Sequence, residues 1–199
     1  MHTTQTNLLQ AVRDSQNREA WGSFYRIYAP MLRNFTRRMG LDDTSIEDLT
    51  QEVLMIAQRS LREDRYDPAR GRFRTWLYGV ARRQTLAAMR ARRRRTRVQR
   101  VQTEGSVDLL AQLEDPRGEE TAREIWRQEW RYALLEEALR HIRGEVGDKS
   151  FEAFHQFAIE HKPVQEVADR LGIAPASVYV YKSRVLDAIR QWVQKFEEE

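Results

Sequence analysis

Arginine dominates the chemistry this chain could perform. From Pro68 to Gln102 every charged side chain is an arginine, and the stretch "ARRQTLAAMRARRRRTRVQR" (Ala81–Arg100), with Arg92 to Arg95 in sequence, holds no carboxylate to offset them. The formal net charge is only +4, so the acids are gathered elsewhere. A guanidinium is always charged and presents a fork of donors that matches phosphate oxygens. A long stretch of one sign is the usual electrostatic footprint of a phosphate-backbone partner. A solvated helix end would also carry charge, but such faces usually interleave the two signs. Other chemistry is poorly supplied. With no cysteine there are no disulfides and no thiolate ligands, and four scattered histidines lack metal-ligand spacing. No nucleophile paired with a base and no glycine-rich phosphate cradle is found. The acid pairs Glu119–Glu120 and Glu136–Glu137 fall on helical stretches expected to be solvated. The expectation is a protein that is not an enzyme, with no cofactor and no metal.

Glycine and proline are few, and no β-branched run alternates with polar residues, so the chain reads as all-α. A first long helix is expected from about Arg18 to Met39, with Trp21, Phe24, Tyr25, Tyr28, Leu32 and Phe35 at helical spacing, a bend at Pro30 and a stop at Gly40. A second begins at "DDTSIEDL", capped by Asp43, Thr44 or Ser45, and runs to about Ser60. The segment "REDRYDPARGR" breaks the pattern with Pro68 and Gly71. A third helix starts near Phe73, turning Trp76, Leu77, Val80 and Leu86 to Met89 inward and its arginines outward. Periodicity fades from about Thr96 to Glu120. The expected organisation is two small helical domains, 1–95 and 121–199, joined by a linker at 96–120. No window approaches the roughly 20 apolar residues of a membrane span, and the N-terminus lacks the basic start and apolar core of a signal segment. Residence in the cytoplasm without membrane insertion is expected.

The most specific local pattern lies between Pro163 and Phe196. Pro163 suits a first helical turn, "VQEVADRL" follows, Gly172 supplies a left-handed turn residue, and Pro175 opens the next helix. A short helix, a glycine turn and a longer amphipathic helix make a helix-turn-helix, whose second helix enters the major groove. On that helix Val178, Val185, Ile189, Trp192 and Phe196 mark the buried side. Ser177, Tyr179, Val180, Lys182, Ser183 and Arg184 are the candidates to meet DNA: Ser and Arg can bond base edges or phosphates, and Val180 suits a thymine methyl. A hairpin of helices packing protein to protein would show the same periodicity, but an exposed valine and tyrosine beside Lys182 and Arg184 make a poor solvated face.

The strings "IEDLTQEVLMIAQRS", "FRTWLYGVARR" and "VADRLGIAPASVYVYKSRVLDAIR", in that order along nearly the full chain, resemble the extracytoplasmic-function (ECF) sigma factors of bacterial RNA polymerase. "EIWRQEW" and "SVYVYKSRVL" look closest to members of that family found in Planctomycetes. The resemblance implies core RNA polymerase and promoter DNA as partners, with room for an anti-sigma factor or another regulator. It implies that the second helix binds the clamp coiled coil of the largest polymerase subunit, through the stripe Asp48, Gln51, Glu52, Met55 and Arg59 opposite Leu49, Val53, Ile56 and Ala57. It further implies that "REDRYDPARGRF" and the third helix meet and open the minus-ten element. There Arg70, Arg72, Arg74, Arg82, Arg83 and Arg90 hold phosphates, while Tyr66, Phe73 and Trp76 stack on or support an unpaired base, although Trp76 starts the apolar side of its helix and is expected in the core. The terminal helix then reads the minus-thirty-five element. The linker would run near the RNA exit path, with its acids after Glu104 in the place of nucleic acid. Three positions depart from the family pattern: Arg83 stands where Asn is frequent, Ala87 where Asp is, and Ala174 where a serine usually caps the recognition helix. The alternative is a helix-turn-helix regulator that binds duplex DNA without polymerase, which leaves the Asp48 to Arg59 stripe without a role.

Overall fold

The computed structural model describes residues 5–14, 16–99 and 116–197, with 95–99 and 116–117 described by backbone alone. All regular structure among the described residues is helical. The elements are α1 (Gln5–Arg13), α2 (Arg18–Arg38), α3 (Asp43–Arg62), a 3-10 turn (Pro68–Arg70), α4 (Phe73–Gln99), α5 (Pro116–Val146), α6 (Asp148–Phe154) running into a π-helical turn (His155–Ile159), α7 (Val164–Leu171) and α8 (Pro175–Glu197). The all-α expectation therefore holds. The chain divides into two compact units, one of residues 7–133 and one of residues 134–199 with 1–6. Helix α5 contributes its first half to the former and its second half to the latter. Of the segment read as a linker, residues 100–115 lie outside the described residues, and both flanks are helical.

In the first unit, local chemistry sets the helix boundaries. Asn17 caps α2 by accepting the Ala20 N–H at 3.0 Å, and Gly40 ends it with φ 93°. The cap of α3 is Asp42, not Asp43, Thr44 or Ser45: its extended backbone lets Oδ1 accept the Ser45 N–H at 3.0 Å. That bond, reinforced by Arg92, holds the Asp42 carboxyl below the usual carboxylate range. Helix α1, which the sequence reading did not anticipate, buries Leu8, Leu9 and Val12, and Arg13 at its end pairs with Asp64 at 2.6 Å.

An aromatic layer forms the core of this unit. Phe24, Tyr28 and Phe35 from α2 meet Phe73 and Tyr78 from α4 and Trp126 and Trp130 from α5, with ring centroids between 4.4 and 6.1 Å apart. Tyr25, at the same helical spacing, falls at the edge and is partly exposed. Two residues expected to stack on or support an unpaired base belong to this layer, which excludes direct stacking. Phe73 is 1% exposed and Tyr66 7%. The reason is geometric: Phe73, Leu77 and Val80 follow one another at four and three residues, so Phe73 opens the buried stripe of α4. Tyr66 packs edge-on to Phe73, and its hydroxyl donates to the Gly71 carbonyl at 3.0 Å, which closes the loop before α4. Trp76, its ring tilted against both at 5.7 and 5.4 Å, is half-buried.

The second unit is built on α8. Helix α6 packs along it, and α7 lies against both. Ala153, Val167, Ala168 and Val178 form a small buried cluster, walled by Phe157, Val164, Leu171, Ile173 and Tyr181.

If Phe73 is core and not a base platform, Phe73→Ala should lower the unfolding free energy by about 3 to 5 kcal/mol. Arg70→Ala, on the exposed turn just before it, should change it by under about 0.5 kcal/mol. Urea denaturation of the two variants checks the contrast; equal, small effects would return Phe73 to the surface.

Candidate nucleic-acid and protein interfaces

Helix α3 separates its two faces cleanly. Leu49, Val53 and Ala57 are buried and Ile56 half-buried, while Asp48, Gln51, Glu52, Met55 and Arg59 are all exposed along the opposite stripe. Helical periodicity alone produces this division, because apolar residues three and four apart commit one side to the core. Among the described residues no ion pair engages Asp48, Glu52 or Arg59. Their neighbour Glu47, by contrast, is clamped by Arg33, whose Nη2 lies 3.0 Å from Glu47 Oε2, and its carboxyl is held below the usual range by that guanidinium. Met55 is 61% exposed and, with Gln58, Arg59, Arg62 and Glu63, lines a shallow cleft of about 290 Å3. The stripe is a polar surface with one large apolar side chain at its centre.

The arginines of α4 and the turn before it fall into two groups. Arg70, Arg72, Arg83, Arg90 and Arg92 to Arg94 are exposed. Arg70 lies 3.4 Å from Asp67 and Arg92 3.2 Å from Asp42, both as surface ion pairs of the weak, salt-screened kind. Arg95 is described by backbone only. Arg74 and Arg82 are half-buried under α5: Arg74 sits 5.3 Å over the Trp130 ring, and Arg82 Nε lies 2.7 Å from Glu119 Oε2. Glu119 is thus no solvated acid. It also accepts from the Tyr78 hydroxyl at 3.1 Å and from Arg123 Nε at 2.9 Å, and burial together with this carboxylate pushes the Tyr78 phenol up to about 12. Glu137, likewise expected to be solvated, is 3% exposed and paired with Arg140, with His141 Nδ1 3.5 Å away. In both cases the acid lies on a covered side of α5 while the arginine it pairs with, four or three residues along the helix, stays exposed. Glu129, 5% exposed and 2.9 Å from Arg38, was not singled out at all, since its partner lies 91 residues away.

The turn between α7 and α8 rests on Gly172, in the left-handed conformation (φ 61°, ψ 49°), with its N–H turned to the carbonyls of Ala168 and Asp169. Pro175 then starts α8. All five residues expected to face inward are buried: Val178, Val185, Ile189, Trp192 and Phe196. Of the six expected to face outward, Tyr179, Val180, Ser183 and Arg184 are exposed, and Ser177 and Lys182 half-buried. Tyr179 and Val180 are 55% and 56% exposed, which is unusual for side chains of their size on a helix that buries its other side. Phe157, from the π-helical turn, supports this face: Tyr179 packs edge-on to it at 5.3 Å, and Lys182 Nζ lies 5.3 Å above its ring. Helical periodicity does not single out Phe157, because a π-helical turn shifts a side chain out of the 3.6-residue register. Arg184 lies over the Tyr181 ring at 5.8 Å. At Ala174 there is no side chain to cap α8, and its carbonyl accepts the Ser177 N–H at 2.8 Å.

Residues 24–95 match the family model of sigma-70 region 2. This segment runs from Phe24 through α3 to the arginines of α4, and so contains the α3 stripe, the turn at Pro68 and the α2 and α4 rings of the aromatic layer. Over 83 residues the chain is also 24% identical to the ECF RNA polymerase sigma factor RpoE of Cereibacter sphaeroides. That match covers 42% of this chain and 45% of the relative, so it spans less than half of either protein. No helix among the described residues is long and apolar enough to cross a membrane.

Because any L-residue at Gly172 must take the left-handed conformation, Gly172→Ala should destabilise the second unit by about 1 to 2 kcal/mol. Urea denaturation reads the cost, and an unchanged midpoint would show that the turn does not need this backbone conformation.

Proposed function

We propose that this chain is a sigma factor of the ECF group: it binds core RNA polymerase and directs it to promoters, leaving catalysis to the polymerase. The observation that carries the reading is the region 2 match over residues 24–95 on a segment whose α3 stripe is exposed and makes no ion pair among the described residues, and whose α4 carries a band of cations. The stripe Asp48, Gln51, Glu52, Met55 and Arg59 is the docking face for the clamp coiled coil of the largest subunit. Charges of both signs around an exposed methionine suit a specific protein surface, with Met55 as the adaptable apolar contact.

Promoter DNA is the second partner. Arg70, Arg72, Arg83 and Arg90 hold phosphates near the minus-ten element, a role that positions the strand without reading its bases. Arg74 and Arg82 join them from under α5, Arg82 exchanging Glu119 for phosphate. Tyr66 and Phe73 act from within, as the packed base on which the arginine-bearing loop and helix stand. At the other end, Ser177, Tyr179, Val180, Lys182, Ser183 and Arg184 face the major groove of the minus-thirty-five element, and α7, the Gly172 turn and α8 serve as a helix-turn-helix. An exposed valine and tyrosine among cations is a surface suited to thymine methyls and phosphates together.

Two measurements test the reading. Reversing charge at Asp48 and Glu52 to lysine should abolish binding to core polymerase while shifting stability by under about 0.5 kcal/mol. Undiminished affinity in the double variant would remove α3 as the docking face. Arg184→Ala should cost about 1 to 3 kcal/mol of promoter binding and relax preference at one base pair if it pairs with a guanine edge. Selection of preferred sequences by wild type and variant reads this directly, and an identical preference at undiminished affinity would take Arg184 out of the interface.

A further inference from the structure

We propose that Phe157 is a positioning residue for base recognition by α8: its ring fixes the Tyr179 phenol and the Lys182 ammonium before DNA arrives, and so sets which base pairs they accept. The inference rests on the proposed role of α8 at the minus-thirty-five element, and every residue it uses lies in the second unit.

Phe157 reaches its place through the π-helical turn at His155–Ile159. There the Glu160 N–H donates to the His155 carbonyl at 3.0 Å, five residues back, where an α-helix uses the fourth. The Lys162 N–H closes the turn on the Gln156 carbonyl at 3.0 Å, and the Glu160 carboxylate lies 3.1 Å from His155 Nδ1 and 2.8 Å from Lys162 Nζ. Backbone and side chains therefore pin both ends of the turn, with Phe157 between them. The half-buried ring packs on the cluster of Ala153, Val167, Ala168 and Val178, which ties it to the core. It also meets Tyr179, edge-on with an interplanar angle of 80°, and Lys182, whose Nζ lies 5.3 Å from its centroid. Tyr179 and Lys182 are three residues apart and so neighbours on one helix face.

Among the described residues neither Tyr179 nor Lys182 has a hydrogen-bond or ion-pair partner, so the ring restrains both while their polar atoms stay available. A lysine is a point charge on a flexible stem, and attraction to a ring face narrows the places its ammonium visits. An edge-on pair likewise favours one arrangement of the Tyr179 ring. Ordering a side chain before binding removes part of the cost of binding. Contacts that need a defined direction gain most, such as a lysine on guanine O6 and N7. Phosphate attracts at long range whatever the sequence and gains little. Loss of the ring should therefore blur base preference and leave salt dependence nearly as it was.

The test is selection of preferred duplexes from a random library by the full chain assembled with core polymerase, with the salt slope and thermal melting measured alongside. Tyr179→Ala and Lys182→Met should each lose preference at their own base pairs. Phe157→Leu, which keeps an apolar side chain on the cluster but no ring, should weaken discrimination at those same base pairs about threefold or more, with salt slope and helical circular dichroism unchanged; Phe157→Tyr should retain the wild-type preference. In a chain already carrying Tyr179→Ala and Lys182→Met, Phe157→Leu should change preference no further, because its effect passes through those two side chains. A wild-type preference in Phe157→Leu, or an undiminished shift in the doubly substituted background, overturns the proposal and leaves the role of α8 standing. If Tyr179→Ala, Lys182→Met and Arg184→Ala all select as wild type does, the reading of α8 fails and this inference with it. Phe157→Met replaces the leucine variant if that one unfolds; if both unfold, the ring is structural and the proposal falls.

Discussion

The first unit depends on one packing event, the meeting of aromatic rings from α2, α4 and α5 around Phe73 and Trp130. These are its largest fully buried side chains together with Tyr28, Phe24 and Phe35. Large rings bury much area for few rotatable bonds, and offset or edge-on pairs add to that burial. The layer is also why this unit tolerates so many cations. An arginine-rich helix has little reason to fold alone, since its like charges repel and its mean hydropathy is low. Packed through Phe73, Leu77 and Val80 onto α2, it can hold Arg83, Arg90 and Arg92 to Arg94 in water at fixed positions. The hydrophobic stripe supplies the free energy, and the charges are carried by it.

Counter-charge is placed sparingly, and its placement separates two kinds of arginine. Where α5 covers α4, Glu119 meets Arg82, both partly removed from water, and where it meets the end of α2 the buried Glu129 holds Arg38. Breaking a pair of that kind leaves a desolvated charge, so these pairs fix geometry even when their net contribution is small. Beyond the cover, Arg70 and Arg92 form surface ion pairs with Asp67 and Asp42, which cost little to exchange for another anion. A phosphate backbone can displace the second kind readily and the first only by moving α5.

Much of this was legible in the sequence, for identifiable reasons. The buried stripe of α8 and both faces of α3 follow from helical spacing, which depends on neighbours three and four residues away. The turn at Gly172 follows from the one residue type that takes a positive φ without strain. What was not legible depended on contacts distant in sequence. Tyr66 and Phe73 look like stacking residues when read beside arginines, and only the positions of Phe24 and Tyr28 reveal them as core. Glu119 and Glu137 look solvated until the covered side of α5 is known. The face of α8 needed Phe157, which a π-helical turn had displaced from any periodic pattern.

The two candidate DNA surfaces differ in chemistry in a way that bears on what each can discriminate. On α4 the exposed groups are nearly all guanidiniums, whose attraction for phosphate is long-ranged, salt-dependent and blind to sequence. On α8 two exposed apolar side chains, two hydroxyl-bearing residues and two cations share about two turns of helix, and apolar contact acts only at van der Waals distance. A surface of the first kind sets how tightly a strand is held. A surface of the second kind loses its apolar gain wherever the matching methyl is missing and leaves its hydroxyls desolvated without partners. Under the proposed function, discrimination between promoters therefore rests on α8 more than on α4, and the substitution of arginine for the asparagine frequent in the family at position 83 adds holding power where reading is already weak.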